Sequence, residues 1–421
     1  MVVINLSGPP ATIDERDDIA RGSIFGVIDD IDEELRELNT AIHDHPELCY
    51  KEFKAHENIT SFLKRQGLDI TPHAYGLETS FLAEYGQGGR LVIFCAEYDA
   101  LEGVGHACGH NLIATASIAA FLGVVAAIKT SQAPGRVRLL GCPAEEGGGG
   151  KIKLIEAGAF EHVDAALMLH PTPPEDNMPN LDGISYGTCL AGCVFKVTFT
   201  GKAAHAGAMP WLGNNALDAA TLSYNAVSML RQQIMPTDRI NIIIREGGLS
   251  SNIIADKTSI EACTRSATLK HMISLTDRVY KCFEGAAIAT GCQVEIIKGM
   301  DPYADLRPNE ALCSSFAGTM ATEFDKKYYC DLSRRERGGY GTDMGNVSYE
   351  CPSFHGNFCI PVLPGDNIHG PGFERAAGTE AAHQTATQAA KGMGATGWRV
   401  LADEAFAQQV HDDFELDRQR R

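Results

Sequence analysis

The sequence predicts an α/β protein: a mostly parallel sheet flanked by helices and interrupted by an inserted ferredoxin-like α+β domain. Two observations carry this reading. In the first half, short apolar strand-like runs alternate with helical stretches, the pattern of a parallel layer covered by helices. A β-α-β-β-α-β order follows a Pro- and Gly-rich passage, after which helix–strand alternation resumes. The 421 residues are enough for two or three domains, and the pattern divides them into a first part (1–189, with 1–20 a loose tail), an insertion (190–300) and a second part (301–421).

Each element has its own signal. Ile24, Val27, Ile28, Ile31, Leu35 and Leu38 recur at helical spacing and predict an amphipathic opening helix. Leu91 to Ala96 reads as a strand followed by a buried helix, Leu112 to Ile128. Val137 to Cys142 reads as a second strand, followed by a helix around Lys151 to Ala157, and Ala165 to Leu169 as a third strand. Residues 171–189 look like a linker. In the insertion, strands are expected at Val194 to Thr200, Arg239 to Arg245, Thr258 to Cys263 and Gln293 to Ile297. Helices are expected at Ala216 to Leu230 and Leu275 to Ala289. The charged stretch after Trp398 reads as a helical tail that frays.

Composition excludes several classes of function. Charged residues are 21% and the hydrophobic set 44%, an ordinary globular balance. With 36 Lys and Arg against 54 Asp and Glu, the net charge of −18 disfavours general affinity for nucleic acid or anionic membrane, since phosphate binding needs a basic surface. No secretory signal is readable at the N-terminus. No apolar run reads as long enough to span a membrane, Leu112 to Ile128 being interrupted by Thr115, Ser117 and Gly123. The 13 Cys, an odd count without framework spacing, fit reduced thiols and a cytoplasmic setting.

Three predicted strands end in chemistry-bearing side chains: Asp99 after the first, Glu145 and Glu146 after the second, His170 after the third. Ligands of open α/β sheets bind beyond the carboxyl ends of strands. Cys108, His110, Glu146, His170 and His369 offer S, N and O donors of the kind that bind zinc or manganese. Singly, each has a bland alternative: a His before Pro is commonly a turn residue, a lone Cys a buried thiol, a Glu pair a solvated loop. Their order on successive strand ends gives the set its weight.

The motifs around these residues are AEYDAL (Ala96 to Leu101), GHACGHN (Gly105 to Asn111), PAEEGGGG (Pro143 to Gly150), LHPTP (Leu169 to Pro173), GKAAHAGAMP (Gly201 to Pro210), GGLSSNIIAD (Gly247 to Asp256), GTDMGNVS (Gly341 to Ser348) and NIHGPG (Asn367 to Gly372). In this order they resemble the aminoacylase/carboxypeptidase-G family of metallo-amidohydrolases over nearly the whole chain. The nearest branch holds indole-acetyl-amino-acid hydrolases, p-aminobenzoyl-glutamate hydrolases and aminoacylase-like dipeptidases. The resemblance implies two divalent ions per chain, zinc or manganese, bridged by Cys108 and completed by His110, Glu146, His170 and His369. It implies that Glu145 is the general base and that Asp99 orients a metal-bound His. It also implies a homodimer in which His205 of the small domain, acting as a lid, reaches the partner's site to stabilise an oxyanion. Asn252 by similarity, and Arg265 by charge, are candidates for gripping a substrate carboxylate.

The chain departs from the family pattern at Asn111, where many relatives carry Asp, and at Glu102, where a Pro is common. Asn111 points toward the dipeptidase subgroup, and Glu102 would repel an acidic substrate or favour a cationic one. The expected reaction is hydrolysis of the amide bond of an N-acyl amino acid or dipeptide-like small molecule. Two alternatives stand beside it: a Cys108-nucleophile hydrolase with His110 or His106 as base, and a binding protein that keeps the fold without turnover. The substrate itself depends on loops such as Arg334 to Thr342.

Overall fold

The opening apolar spacing becomes two helices rather than one. α1 (Glu15–Asp30) and α2 (Asp32–His43) break at Ile31, whose φ of −106° and ψ of 12° leave the helical region. α2 begins with Asp32, Glu33 and Glu34, carboxylates favoured at the positive end of a helix dipole. The computed structural model describes residues 15–174, 178, 180–332, 338 and 340–421. Helix thus occupies the end of the stretch expected to be a loose tail, whose first 14 residues lie outside the described ones, as does much of the Arg334 to Thr342 loop.

The chain continues through α3 (Phe53–Arg65), β1 (Ile70–Pro72), β2 (Phe81–Gln87), β3 (Leu91–Glu97), α4 (His110–Ser131), β4 (Gly135–Cys142), α5 (Gly150–Glu156), β5 (Ala165–Thr172) and β6 (Gly183–Ile184). It then builds β7 (Ala191–Thr200), α6 (Ala216–Leu230), β8 (Arg239–Glu246), β9 (Lys257–Ser266), α7 (Leu269–Thr290) and β10 (Gln293–Lys298). It returns by α8 (Glu310–Phe324), β11 (Tyr328–Tyr329), α9 (Met344–Glu350), β12 (Ser353–Cys359), α10 (Pro371–Ala377), α11 (Glu380–Ala402) and α12 (Glu404–Arg418).

The larger sheet has the order β1-β2-β4-β3-β5-β12-β6-β11, with β4, β3, β5 and β12 mutually parallel. β3 lies between β4 and β5 and is buried along its whole length, as a central strand covered on both faces must be. Val92, Phe94 and Ala96 face the core with α4 and α11, whereas Leu91, Ile93 and Cys95 pack with Leu154, Met344 and Val347 from α5 and α9. At Gly397 of α11 a Cβ would fall 2.8 Å from Phe94, so glycine lets the helix approach the sheet. The antiparallel edge strands β1 and β2 carried no sequence signal beyond short mixed runs.

Two expectations are corrected. α4, at 22 residues, is long and apolar enough to cross a membrane by length and composition, contrary to the reading from sequence. Its apolar window is nevertheless 94% buried inside the protein, packed between α1, α11 and β3. The passage 171–189 is not merely a linker: β5 extends through Thr172, and β6 pairs with β12 and β11, while residues 175–177 and 179 lie outside the described ones.

The second sheet is antiparallel in the order β10-β7-β9-β8, the ferredoxin-like arrangement, with α6 and α7 packed on one face. α7 starts at Leu269, earlier than its apolar periodicity suggested, because the Thr268 side chain caps it by accepting from the His271 N–H.

The C-terminal tail is tied down rather than frayed. Arg307 donates to both carboxylate oxygens of Asp417, through Nε at 2.7 Å, and Arg421 adds a third hydrogen bond at 3.1 Å. Burial alone would raise the Asp417 pKa, but the two guanidiniums hold it below the ordinary carboxylate value. A depressed carboxyl stabilises the fold fully at neutral pH, and that contribution is lost as the pH falls below about 4. Asp417→Asn should therefore cost about 1–2 kcal/mol at pH 7, after allowance for partial solvent exposure. Denaturant titrations at pH 7 and pH 3.5 check this: the penalty should shrink at the lower pH.

Candidate metal centre and active site

The parallel strands deliver their last residues to one end of the sheet. Asp99 follows β3, Glu145 and Glu146 follow β4, His170 lies on β5, and α4 starts at His110. The loop before α10 brings His369, whose N–H bonds the Ala107 carbonyl at 2.8 Å. Gly109, at φ 77°, joins Cys108 to His110, and a Cβ there would sit 2.5 Å from Pro171 Cγ. Only glycine both takes that conformation and lets the two motif loops meet. Ala144 (φ 60°) and His369 (φ 68°) hold left-handed backbone conformations costly for non-glycine residues, and strain of this kind clusters at functional sites.

All five donors converge. Cys108, His110 and His170 bring ligand-type atoms within 4.8 Å of one another, and so do Cys108, Glu146 and His369. Cys108 belongs to both trios. Its Sγ lies 3.4 Å from His170 Nε2, and Glu146 Oε1 lies 3.5 Å from His369 Nε2 and 3.8 Å from His110 Nε2. The orientation of each ring is set from behind. His110 Nδ1–H donates to Asp99 Oδ1 at 3.0 Å, and His170 Nδ1–H donates to the Pro171 carbonyl at 2.7 Å, which turns both Nε2 atoms toward the cluster. His110 Nε2 and Glu146 Oε1 are buried without a hydrogen-bond partner in the protein. Buried lone pairs of S, N and O character facing one another fit a divalent cation.

The electrostatics separate the two adjacent glutamates. Burial raises the Glu145 pKa well above its ordinary value, reinforced by Glu97, Asp343 and Glu146. Burial acts on Glu146 too, but its pairing with His369 and the charge of His110 outweigh it and lower the pKa. Paired carboxylates pushed apart in this way suit different roles. Asp99 is held down to about 2 despite complete burial, through the charge and hydrogen bond of His110 and the Glu146 N–H at 2.9 Å. Burial pushes the Cys108 thiol up, the opposite of what a free-standing nucleophile needs.

The cluster forms part of the wall of a cavity of about 550 Å³ between the two sheets. Arg265 of β9 lines it, with Tyr303, Tyr340 and Thr342. His205 and Asn252 do not. They lie together on exposed loops of the smaller sheet, linked by the Ala206 N–H to the Asn252 carbonyl at 2.9 Å. The structure also places the two departures from the family pattern. Glu102 is exposed in the turn closed by the Leu101–Gly105 bridge and does not line the cavity, contrary to its expected place near the site. Asn111 is buried and donates to Asn39 and the Ala377 carbonyl, so it ties helices together.

Sequence reasoning missed a buried ion cluster behind Glu145. Lys151 is fully buried, with Nζ bonded to Glu97 and, at 2.6 Å, to Asp343. Tyr303 donates to the Glu145 carbonyl at 2.5 Å and accepts from the Gly149 N–H at 3.0 Å. Glu97, Lys151 and Asp343 all lie in or beside the quoted motifs, and a Lys following a glycine run was the one available signal.

Comparison with known proteins agrees with this geometry. Residues 93–393 match the model of peptidase family M20/M25/M40. The chain belongs to this family. It is 39% identical over 405 residues to a mouse Xaa-Arg dipeptidase, covering 92% of this chain and 90% of the mouse protein. It is 36% identical over 408 residues to a human Xaa-Arg dipeptidase, again covering 92% of this chain and 90% of that protein. The fold matches a dinuclear metal-binding M20 peptidase of Bacillus subtilis with a TM-score of 0.66 at 20% identity, covering 89% of this chain and 99% of that one. This M20 protein is therefore a hydrolase, and the binding-protein alternative falls away.

Cys108 stands in both trios. If each trio holds an ion, Cys108→Ala should lose both, whereas His369→Ala should retain the one facing His110 and His170. Elemental analysis of protein reloaded with zinc or manganese checks this, and equal loss in the two variants would contradict a shared thiolate.

Proposed function

We propose that this protein hydrolyses the amide bond of a dipeptide-like compound or N-acyl amino acid using two divalent ions, zinc or manganese. The observation that carries the proposal is the pair of donor trios sharing Cys108, with Glu145 alongside. Cys108, His110 and His170 would hold one ion, and Cys108, Glu146 and His369 the other. Such ions, when bound, supply Lewis acidity to a carbonyl oxygen and to a water.

The remaining work belongs to the chain's own groups. Glu145 takes a proton on its carboxylate from the attacking water and hands it to the leaving nitrogen. Asp99 keeps the His110 ring in its tautomer and orientation. Arg265 in the cavity wall suits a substrate carboxylate.

His205 and Asn252 act on the partner's site in a homodimer. Supporting this, β8 is an edge strand of the smaller sheet, and the same domain exposes apolar residues including Trp211 (75%), Leu249 (91%), Leu222 and Ile244. None of the thirteen cysteines forms a disulfide, in keeping with a reducing, cytoplasmic location. A panel of dipeptides and N-acyl amino acids, assayed with added zinc or manganese and again with a chelator, tests the reaction: no metal-dependent cleavage of any member rejects it.

Two mutational outcomes follow. Glu145→Gln should keep its ions and lose about 10²–10⁴ in kcat, the usual worth of a general base, whereas Glu146→Gln should lose metal. Near-native kcat in the first would remove Glu145 from the role. Glu145→Gln and His205→Ala should each be inactive alone yet regain activity when mixed, up to about half the native rate per heterodimer, because one site of each mixed dimer carries neither defect. A mixture that exchanges subunits, followed by mass, but stays inactive excludes action in trans.

A further inference from the structure

The cavity wall holds a buried polar side chain that the proposed reaction leaves unused. His355 stands on β12 and is 2% exposed, yet it lines the cavity, as does Asn357 two residues on. The flanking positions Phe354 and Phe358 turn into the main core, so the cavity-facing side of the strand is the His355–Asn357 side. β12 runs parallel to β5 with Asn357 in register with His170, and the His355 ring centroid is 5.9 Å from that of His170.

Neither ring nitrogen of His355 has a hydrogen-bond partner in the protein. The buried His106 also has neither ring nitrogen partnered and His383 has one without a hydrogen bond, but neither lines the cavity, and it is the cavity-lining position that sets His355 apart. His355 belongs to neither donor trio. A Cβ on Gly187 would fall 2.8 Å from His355 Nδ1, so that side of the ring is closed by backbone, which leaves Nε2 for a ligand. Buried polar atoms without a partner are rare in native folds and recur where a ligand completes them.

We propose that His355 is a substrate-contacting residue, hydrogen-bonding through Nε2 to a polar group that flanks the scissile amide on the His170 side. This rests on the hydrolase reading above. It narrows the substrate class to compounds with a hydrogen-bonding oxygen or nitrogen next to the cleaved bond, as in peptides, rather than a purely hydrocarbon acyl group.

His355→Leu and His355→Phe remove both nitrogens at similar or larger volume, and His355→Gln restores a donor and an acceptor. Metal content, melting temperature and the kinetics of glycyl-leucine and N-acetyl-leucine would be measured for each. Glycyl-leucine binding would also be measured calorimetrically in a Glu145→Gln background. The Leu variant should keep its ions, melt at or above the native temperature, and lose about tenfold to a hundredfold in kcat/KM, mainly through KM. The Gln variant should recover part of the loss. A lower melting temperature in both apolar variants would make His355 structural, lost metal would mean it acts through His170, and unchanged KM would remove the contact; any of these overturns the proposal. If the native protein cleaves neither these compounds nor any member of the panel above, the proposed reaction fails separately. The melting temperature and the calorimetric binding then still decide whether His355 is kept for a ligand.

Discussion

Asp99 is a completely buried carboxylate on which three donors converge: His110 through Nδ1, the Glu146 backbone N–H, and the Cys49 thiol at 3.4 Å. A buried anion is tolerated only when its lone pairs are taken up, and here the groups that take them up are the site itself. One oxygen sets the His110 ring, and the other sets the backbone of the glutamate pair. Asp99 owes its place to β3, the buried strand that can lie between β4 and β5 because residues 91–97 are apolar on both faces except at the last position.

The same economy of charge governs Glu145. Its neighbours Glu97 and Asp343 are acidic, and Lys151 is the cation that makes their burial possible. Without that ammonium three carboxylates would face one another in a low-dielectric interior, an arrangement whose repulsion would outweigh the packing around it. The arrangement keeps Glu145 poised high while Glu146, turned toward His369 and His110, remains anionic. Two adjacent residues of like chemistry are thus separated by surroundings drawn from four distant segments of the chain, around Glu97, His110, Asp343 and His369.

The inserted domain divides the remaining functional candidates. Arg265 of β9 reaches the cavity, while His205 and Asn252 sit on exposed loops beside an unpaired edge strand. That sheet leaves β8 open and its domain exposes large apolar side chains, the features on which the proposed two-fold assembly rests. Within one chain the centre and the His205 loop are separate, and the proposed two-fold assembly would bring them together.

Much of this was legible in the residues alone. The apolar runs at β3, β4, β5 and α4, the helical spacing from Ile24 to Leu38, and the placing of Asp99, Glu145, Glu146 and His170 at or just past strand ends follow from side-chain pattern and from where a parallel sheet exposes its chemistry. Local patterns were silent where one residue's meaning depends on a distant one. The extension of β5 through Thr172 and the pairing of β6 were hidden in a passage that read as a linker, and the partners of Asn111 became visible only when Asn39 and Ala377 met it. His355 carried no spacing signal at all, because its significance lies in having no partner, a property of the packed interior. Sequence determined which donors exist and at which strand ends they emerge. Only the tertiary structure decided their pairing, because the ion cluster around Lys151 and the sharing of Cys108 depend on distances between segments that no single stretch of chain encodes.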